Sequence, residues 1–318
     1  MKSLSFVGVD VSKTTLDIAI EDHAGSVQIL NTSAAIRHWL KQLSAGSFVA
    51  VESTGSYHQV FVRQVIAAGH TVYLLNTRDL SHYARAVGRR AKTDQLDAQL
   101  IARYLAREYQ HLHPYQLPSE LQTELDSLVQ RRHTVVSTQT ALRQSFTALA
   151  TPPRAFARTL RAMQALITEL DQRLQLLVSK DPTLAPIARN LNTMVGFGPL
   201  LSHSMANALT RHPFKHADAF IAFIGYDPRV RDSGQHRGRR FLSKRGPAEL
   251  RRLLYVAAMS ASKTKLWRPF YERYRARGLA STAVLVILAR KLARIAFSIV
   301  KHGTVFRPEL IDSACAKP

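Results

Sequence analysis

The sequence predicts a chain of two parts, a mixed α/β domain at the N-terminus and a mainly α-helical remainder. In about the first hundred residues, short apolar runs alternate with turn residues and amphipathic segments, which is typical of alternating strands and helices. From about residue 94 the apolar residues recur at helical spacing almost without interruption.

The order of elements in the first part defines the fold class more closely. The predicted elements are strands at 4–10, 16–21 and 27–31, a helix at 32–43, a strand at 48–52, a helix ending at 68 and a strand at 71–76. The first three strands are joined by connections short enough for hairpins, so they should be antiparallel. Three antiparallel strands followed by helix, strand, helix and strand indicate an RNase H-like α/β domain, to which we assign residues 1–118.

The region after residue 118 begins with two long amphipathic helices, predicted at 119–149 and 154–178 and separated by the turn TPP. Two readings of residues 119–180 stay open. They can form a helical coiled-coil arm that acts as a spacer or a dimerisation element, or an ordinary part of a helical bundle.

Residues 181–318 are predicted to form a second, mainly helical domain. Glycines within MVGFGPLL (194–201) are typical of a helix–hairpin–helix turn, whose backbone amides can hold a phosphate. A polar loop at 226–240 follows, and then helices at 247–260, 269–277 and 281–300.

The charge of the chain points to a polyanionic partner. The formal net charge is +22, and nucleic acid explains such an excess better than an anionic membrane surface. Residues 1–118 hold 12 Lys and Arg against 9 Asp and Glu, whereas residues 119–318 hold 32 against 13. Most of the affinity for DNA should therefore lie in the second part.

Membrane and extracellular classes are disfavoured. The longest apolar segment, at 280–300, contains Arg290, Lys291 and Arg294, so no transmembrane span is expected. The N-terminus has no signal-peptide pattern. The single cysteine, Cys315, cannot form an internal disulfide, and a cytoplasmic protein is the expectation.

A group of acidic residues suggests a metal site in the first part. Asp10 ends the first predicted strand and Glu52 the fourth, while Asp94 and Asp97 lie three residues apart on one helix face. Four converging carboxylates require cations, and oxygen ligands suit Mg²⁺ or Mn²⁺ in phosphoryl transfer. Taken singly, each acid can instead be a turn former, a helix cap or a solvated first-turn residue.

A basic loop is the second candidate site. Between Arg229 and Arg252 lie nine basic residues and two acids. The predicted nucleic-acid contacts are Arg237, Arg239, Arg240, Lys244, Arg245, Arg251 and Arg252. Ser233 lies in the same loop in a Ser-Gly pair, which by itself usually marks a turn. Ser243, in a Ser-Lys-Arg setting, looks more like a phosphate-binding residue.

The motifs GVDVSK (8–13), VESTG (51–55), KTDQLDA (92–98) and DSG (232–234), with SKRG (243–246) and LRRL (250–253), closely resemble those of the DEDD transposases of bacterial insertion sequences. The resemblance covers essentially the whole chain. It implies a RuvC-like domain, a coiled-coil arm and a C-terminal transposase domain. It also implies a magnesium-dependent acidic site at Asp10, Glu52, Asp94 and Asp97, and Ser233 as the nucleophile of a phosphoserine–DNA intermediate.

Further implications concern partners. Members of this family act on donor and target double-stranded DNA, selected by a guide (bridge) RNA that is encoded beside the transposase gene. They assemble as homo-oligomers, dimers or dimers of dimers, in which the acidic domain of one subunit faces the serine domain of another.

Three other functions would each explain part of the sequence. A RuvC-like structure-specific nuclease or resolvase would use the same carboxylates with metal-activated water in place of serine. A sugar kinase or related ATPase would explain VDVSK (9–13) as a phosphate-binding hairpin, but further Gly-rich nucleotide loops are missing from the sequence. A catalytically inactive DNA-packaging protein would explain the charge alone.

Overall fold

The computed structural model describes residues 5–23, 25–52, 55, 57–88, 94–229, 232–233, 236–237 and 241–311. For residues 94–96, 232–233 and 236–237 it describes only the course of the backbone. The chain forms two compact units, residues 1–117 and 118–318, and each is described here by itself.

The first unit is built on a mixed five-stranded sheet. Its strands are β1 (Phe6–Val11), β2 (Thr15–Ile20), β3 (Val27–Leu30), β4 (Phe48–Glu52) and β5 (Thr71–Leu75). They lie in the order β3-β2-β1-β4-β5, with β2 antiparallel to both β1 and β3, and with β4 parallel to both β1 and β5. This order and these directions are compatible with an RNase H-like α/β domain, and the mixed sheet agrees with the fold class that the sequence predicts.

Helices cover both faces of this sheet. They are α1 (Ser33–Leu40), α2 (Gln59–Ala67), α3 (Thr77–Ala86) and α4 (Asp94–Glu108). One face packs against α1 and α2 through residues such as Val9, Trp39 and Phe61. On the other face, Ala50 of β4 shares a core with Ile101 of α4. Alternate residues along each strand therefore belong to different cores.

Helix α3 was not predicted. Its segment is polar, and Leu80 is its one buried residue, so the apolar periodicity that reveals a helix is too weak to detect. The helix is nevertheless capped, since the Asn76 side chain accepts a hydrogen bond from the Arg78 backbone N–H at 2.9 Å.

The second unit is mainly helical, as predicted. Its helices are α5 (Glu120–Ser145), α6 (Arg154–Ser179), α7 (Leu184–Asn192), α8 (Pro199–Arg211), α9 (Ala217–Phe223), α10 (Ala248–Ala261), α11 (Arg268–Ala276) and α12 (Ser281–His302). The two-residue strands β6 (Pro228–Arg229), β7 (Asp232–Ser233) and β8 (His236–Arg237) lie in the segment predicted as a polar loop, and β9 (Phe241–Leu242) follows directly after it.

The long helices α5 and α6 form an antiparallel pair. At the base of this pair, Leu125 of α5 and Leu174 of α6 are buried in the same core as Leu254 of α10 and Leu288 of α12. The inner part of the pair is thus an integral element of the second unit. Within the described parts of the chain, no helix combines the length and apolar character needed to cross a membrane.

Candidate active site and nucleic-acid interface

Two predicted acids leave the sheet at the same edge. Val9 of β1 is paired with Val51 of the parallel strand β4, so the next residues along these strands are Asp10 and Glu52. Because side chains alternate between faces, both acids lie on the face that α4 covers. Both are half-buried, and the Asp10 Oδ1 atom accepts a hydrogen bond from the Val11 N–H at 3.0 Å.

A third acid, Asp17, lies beside this pair and was missed in the sequence. Asp17 of β2 is directly opposite Asp10 in the antiparallel register and is only 3% exposed. The Gln28 side-chain amide lies 3.1 Å from each Asp17 carboxylate oxygen and donates to it. The sequence pattern that could have revealed Asp17 is the alternation in β2. Leu16 and Ile18 enter one core, so the acid between them must lie on the opposite face of the sheet.

Helix α4 lies unusually close to β1. A Cβ atom built on Gly8 would be 2.2 Å from both the Ala98 carbonyl oxygen and the Ala102 backbone nitrogen, so only glycine allows this approach. The contact fixes α4 over the strand that carries Asp10. Asp97, one residue before Ala98, is half-buried on the first turn of this helix. Asp94 is the first residue of α4, and its side chain lies outside the described part of the structure.

The metal site itself is only partly described. Among the residues whose side chains the structure describes, no three His, Cys, Asp or Glu residues gather closely enough to hold a metal ion. One of the four predicted metal ligands, Asp94, is not among those residues, because its side chain lies outside the described part of the structure. The donors are nevertheless all carboxylates, which suit Mg²⁺ or Mn²⁺ better than zinc or copper.

Replacing Gly8 with alanine tests the role of this close contact. The added methyl group must displace α4 from β1, so the free energy of unfolding should fall by about 1–3 kcal/mol. The family resemblance implies that Asp97 acts in DNA cleavage, so cleavage should fall as well, because Asp97 moves with α4. Urea unfolding and cleavage assays of the Gly8→Ala variant measure the two effects.

Gly198→Ala is the stability control for this variant, because a Cβ atom there meets nothing within 4 Å. The free energy of unfolding should change less in the Gly198→Ala variant than in the Gly8→Ala variant. Equal changes in the two variants would contradict the close contact as the cause.

In the second unit, Ser233 lies in a small β-hairpin. Backbone pairing joins Asp232 to Arg237 and Ser233 to His236 in antiparallel register. The side chain of Ser233 is outside the described part of the structure. The backbone pairing makes Ser233 the last residue of strand β7.

The predicted nucleic-acid contacts fall into three groups: those whose side chains are not described, those that are exposed and those that are engaged within the unit. Arg239 and Arg240 lie outside the described residues, as does the side chain of Arg237. Lys244 and Arg245, which follow β9, are exposed. They are therefore placed to reach a nucleic-acid backbone from the surface of this unit.

Hydrogen bonds join the two ends of the segment that carries this hairpin. The Ser243 hydroxyl donates to the Asp227 carboxylate, and the Lys244 N–H donates to the Gly225 carbonyl oxygen at 3.0 Å. Gly225 is left-handed, and a Cβ atom there would be 2.1 Å from the Arg245 carbonyl oxygen. Because Ser243 is 4% exposed and its hydroxyl is engaged, it is poorly placed to attack DNA.

The Arg251 side chain stabilises this loop by hydrogen bonds to its backbone. Its Nη1 atom donates to the carbonyl oxygens of Ile224, Arg245 and Gly246 at 3.1, 3.0 and 2.9 Å. Burial lowers the pKa of the Arg251 guanidinium. A side chain with three backbone carbonyls as partners supports the loop rather than offering its charge to solvent.

Arg252 is also engaged within the unit. Its Nε and Nη2 atoms donate to the two Glu249 carboxylate oxygens at 2.7 and 2.6 Å, and this hydrogen bonding raises the Arg252 pKa. The His133 Nδ1 atom of α5 lies 3.0 Å from the same carboxylate. Lys244 and Arg245 are thus the described contacts most open to nucleic acid.

Comparison with known proteins identifies the family. The transposase model of the DEDD type of insertion sequence IS110 matches residues 7–151. The model of the transposases of the IS116/IS110/IS902 family matches residues 188–274. The first match includes the four predicted acids, and the second includes Ser233 and the basic loop.

Full-length relatives agree with both matches. A pilin gene-inverting protein of Moraxella bovis is 25% identical over 317 residues, covering 96% of this chain and 98% of its own. A probable family 20 transposase of Pseudomonas aeruginosa is 26% identical, covering 96% and 99%. A transposase for insertion sequence element IS1328 of Yersinia enterocolitica is also 26% identical, with the same coverage. With its two characteristic regions matched in order, this chain belongs to the DEDD transposases of insertion sequences.

Proposed function

We propose that the protein cleaves and rejoins double-stranded DNA through a phosphoserine intermediate formed on Ser233. The observation that carries this proposal is the placement of Asp10 and Glu52 at one edge of the sheet, on the face that α4 covers. An acidic edge of this kind suits phosphoryl transfer, and the family consists of transposases.

The acidic residues are assigned to metal binding. Asp10, Glu52, Asp94 and Asp97 would hold Mg²⁺ or Mn²⁺, and the buried Asp17, opposite Asp10 on the neighbouring strand, would add a negative charge near the cation. When bound, the metal would neutralise these carboxylates and stabilise charge on the reacting phosphate oxygens.

The basic loop that contains Ser233 is assigned to the covalent step. The Ser233 oxygen attacks a backbone phosphorus, its proton passes to a base, and the bond to one sugar oxygen breaks as that oxygen takes up a proton. A hydroxyl of another strand then attacks the same phosphorus and releases the serine. One phosphodiester is formed for each one broken, so no ATP is consumed. Arg237, Arg239 and Arg240 would stabilise the phosphate charge, with Lys244 and Arg245 on the flanking backbone.

A guide RNA and a homo-oligomer complete the proposal. The excess of basic residues in 119–318 supports binding of more than one nucleic-acid chain. The nearest alternative is a hydrolytic resolvase, which would use the acidic residues with water and leave no protein–DNA bond.

One assay tests these points together. The protein is purified with its co-bound RNA, which is sequenced, and is then incubated with Mg²⁺ and labelled duplex DNA carrying the end sequences of the element. A denaturing gel should show a covalent protein–DNA adduct, and mass spectrometry should locate it on the peptide containing Ser233. Cleaved DNA without any adduct would support the resolvase instead.

A parallel sample treated with ribonuclease tests the guide. Loss of adduct formation, together with one defined transcript matching DNA beside the gene, would support RNA guidance. Random cellular RNA and full activity after ribonuclease treatment would contradict it while leaving the serine mechanism intact.

A further inference from the structure

The helix pair α5–α6 has an uneven charge distribution. Residues 133–168, which form its outer part, contain four arginines and no aspartate or glutamate. The inner part contains both signs, and ion pairs there join the helices: Arg132 with Asp171, and Arg173 with Glu124. The cationic character is therefore confined to the part of the pair that is remote from its base.

Neutral contacts hold the outer part together. The Gln139 side-chain amide donates to the Leu160 carbonyl oxygen at 3.2 Å across the two helices. Nearer the turn, the Phe146 and Phe156 rings are stacked with centroids 4.4 Å apart. Because these contacts join the helices without charge, the outer arginines are not needed to pair α5 with α6.

Three of these arginines form a line on α6. Arg154, Arg158 and Arg161, called here the arginine stripe, have the spacing i, i+4 and i+7. At about 100° per residue they fall within an arc of about 60° and span about 10 Å along the axis. Phe156 and Ile167 project roughly half a turn away, toward α5. The stripe thus lies on the outward face of the helix.

The stripe is open to solvent. All three arginines are exposed, and among the described residues no carboxylate lies within ion-pair distance of any of them. Like charges at i, i+4 destabilise a helix slightly, so their alignment brings no gain to the isolated chain. The geometry instead suits a polyanion with regularly spaced charges.

We propose that the arginine stripe binds the sugar–phosphate backbone of duplex DNA outside the strands being cut. Arginine donates paired hydrogen bonds to phosphate, and residues 133–168 use arginine with no lysine. A second copy of the chain is a poorer occupant, because two facing stripes would repel each other. The proposal rests on DNA being the substrate, as proposed above. It assigns the outer part of the helix pair a role in binding that DNA.

The test compares two triple variants. Arg154→Gln, Arg158→Gln and Arg161→Gln together remove the stripe, and glutamine preserves helix propensity. Arg173→Gln, Lys180→Gln and Arg189→Gln remove the same charge from exposed positions at and beyond the base of the arm. Binding of fluorescent duplex DNA of arbitrary sequence is measured by anisotropy at several salt concentrations, without metal, so that chemistry does not contribute.

The stripe variant should bind roughly 10- to 30-fold more weakly, with a salt dependence lower by about 2–3 ions, since each phosphate contact accounts for about one. The control should lose much less. Equal losses in both variants, or none in the stripe variant, would overturn the proposal.

Two further outcomes would also overturn it. In one, the stripe variant loses affinity for RNA while its affinity for duplex DNA is unchanged. In the other, its oligomeric state changes while its DNA affinity is unchanged, which would favour a second copy of the chain as the occupant. Ser233→Ala distinguishes this proposal from the proposed function, because it should abolish chemistry while leaving the anisotropy titration unchanged.

Discussion

Replacing Ser233 with alanine is expected to reduce strand cleavage and rejoining by at least about 10³-fold and to remove the covalent adduct completely. A serine nucleophile cannot be replaced by a methyl group, and loss of a nucleophile is among the largest effects that mutation has on enzymes. Single-turnover cleavage of labelled duplex DNA, resolved on denaturing gels, measures the change. Affinity for DNA should stay within about twofold, since the backbone phosphates are contacted by basic residues.

Ser243→Ala is the matched control for Ser233→Ala. The Ser243 hydroxyl is buried and donates to the Asp227 carboxylate, so its removal should lower the free energy of unfolding by about 1–3 kcal/mol. The Ser243→Ala protein should nevertheless form the adduct. If Ser233→Ala cleaves DNA at more than a tenth of the normal rate, water is the nucleophile and the resolvase alternative gains support. An adduct that disappears only with Ser243→Ala would move the nucleophile to that residue.

Replacing Asp10 with asparagine should have the second-largest effect, a loss of about 10²- to 10³-fold in cleavage with little change in folding. The side chain keeps its shape but loses the charge that would hold a divalent cation. Removal of divalent metal with EDTA should stop cleavage by the unaltered protein, and added Mg²⁺ or Mn²⁺ should restore it. Cleavage rates titrated against each metal would show a weakened metal dependence for the Asp10→Asn variant.

Asp22→Asn provides the control for charge. Asp22 is exposed and follows β2 at the opposite edge of the sheet, and its positive φ of 65° is one that asparagine tolerates well. Its cleavage rate should be unchanged. Undiminished cleavage by Asp10→Asn, or by the protein in excess EDTA, would contradict a metal site on this edge. The Ser233→Ala result would stay interpretable, because it depends on adduct formation.

Much of the first unit could be predicted because its residues alternate in a simple way. The run at 48–52 was predicted with the bounds that β4 has, since apolar residues with turn signals on both sides leave little choice. Helix α3 escaped detection because one buried residue gives no periodic pattern. Asp17 was overlooked for a different reason: its position opposite Asp10 follows from the register of the β1–β2 pair, and the predicted strand bounds of 4–10 and 16–21 did not specify that register.

The sequence by itself determined the mixed α/β domain, the helical remainder, the basic excess and the motifs that resemble one transposase family. Only the tertiary structure showed which basic side chains are exposed and can contact nucleic acid. Arg251 and Arg252 look like DNA contacts in the sequence, yet their guanidinium groups are bonded to backbone carbonyls and to Glu249. The arginine stripe, in contrast, lies open on α6. Composition and spacing record how many charges a segment carries, but burial and hydrogen-bond partners, set by distant parts of the chain, decide which of them face solvent.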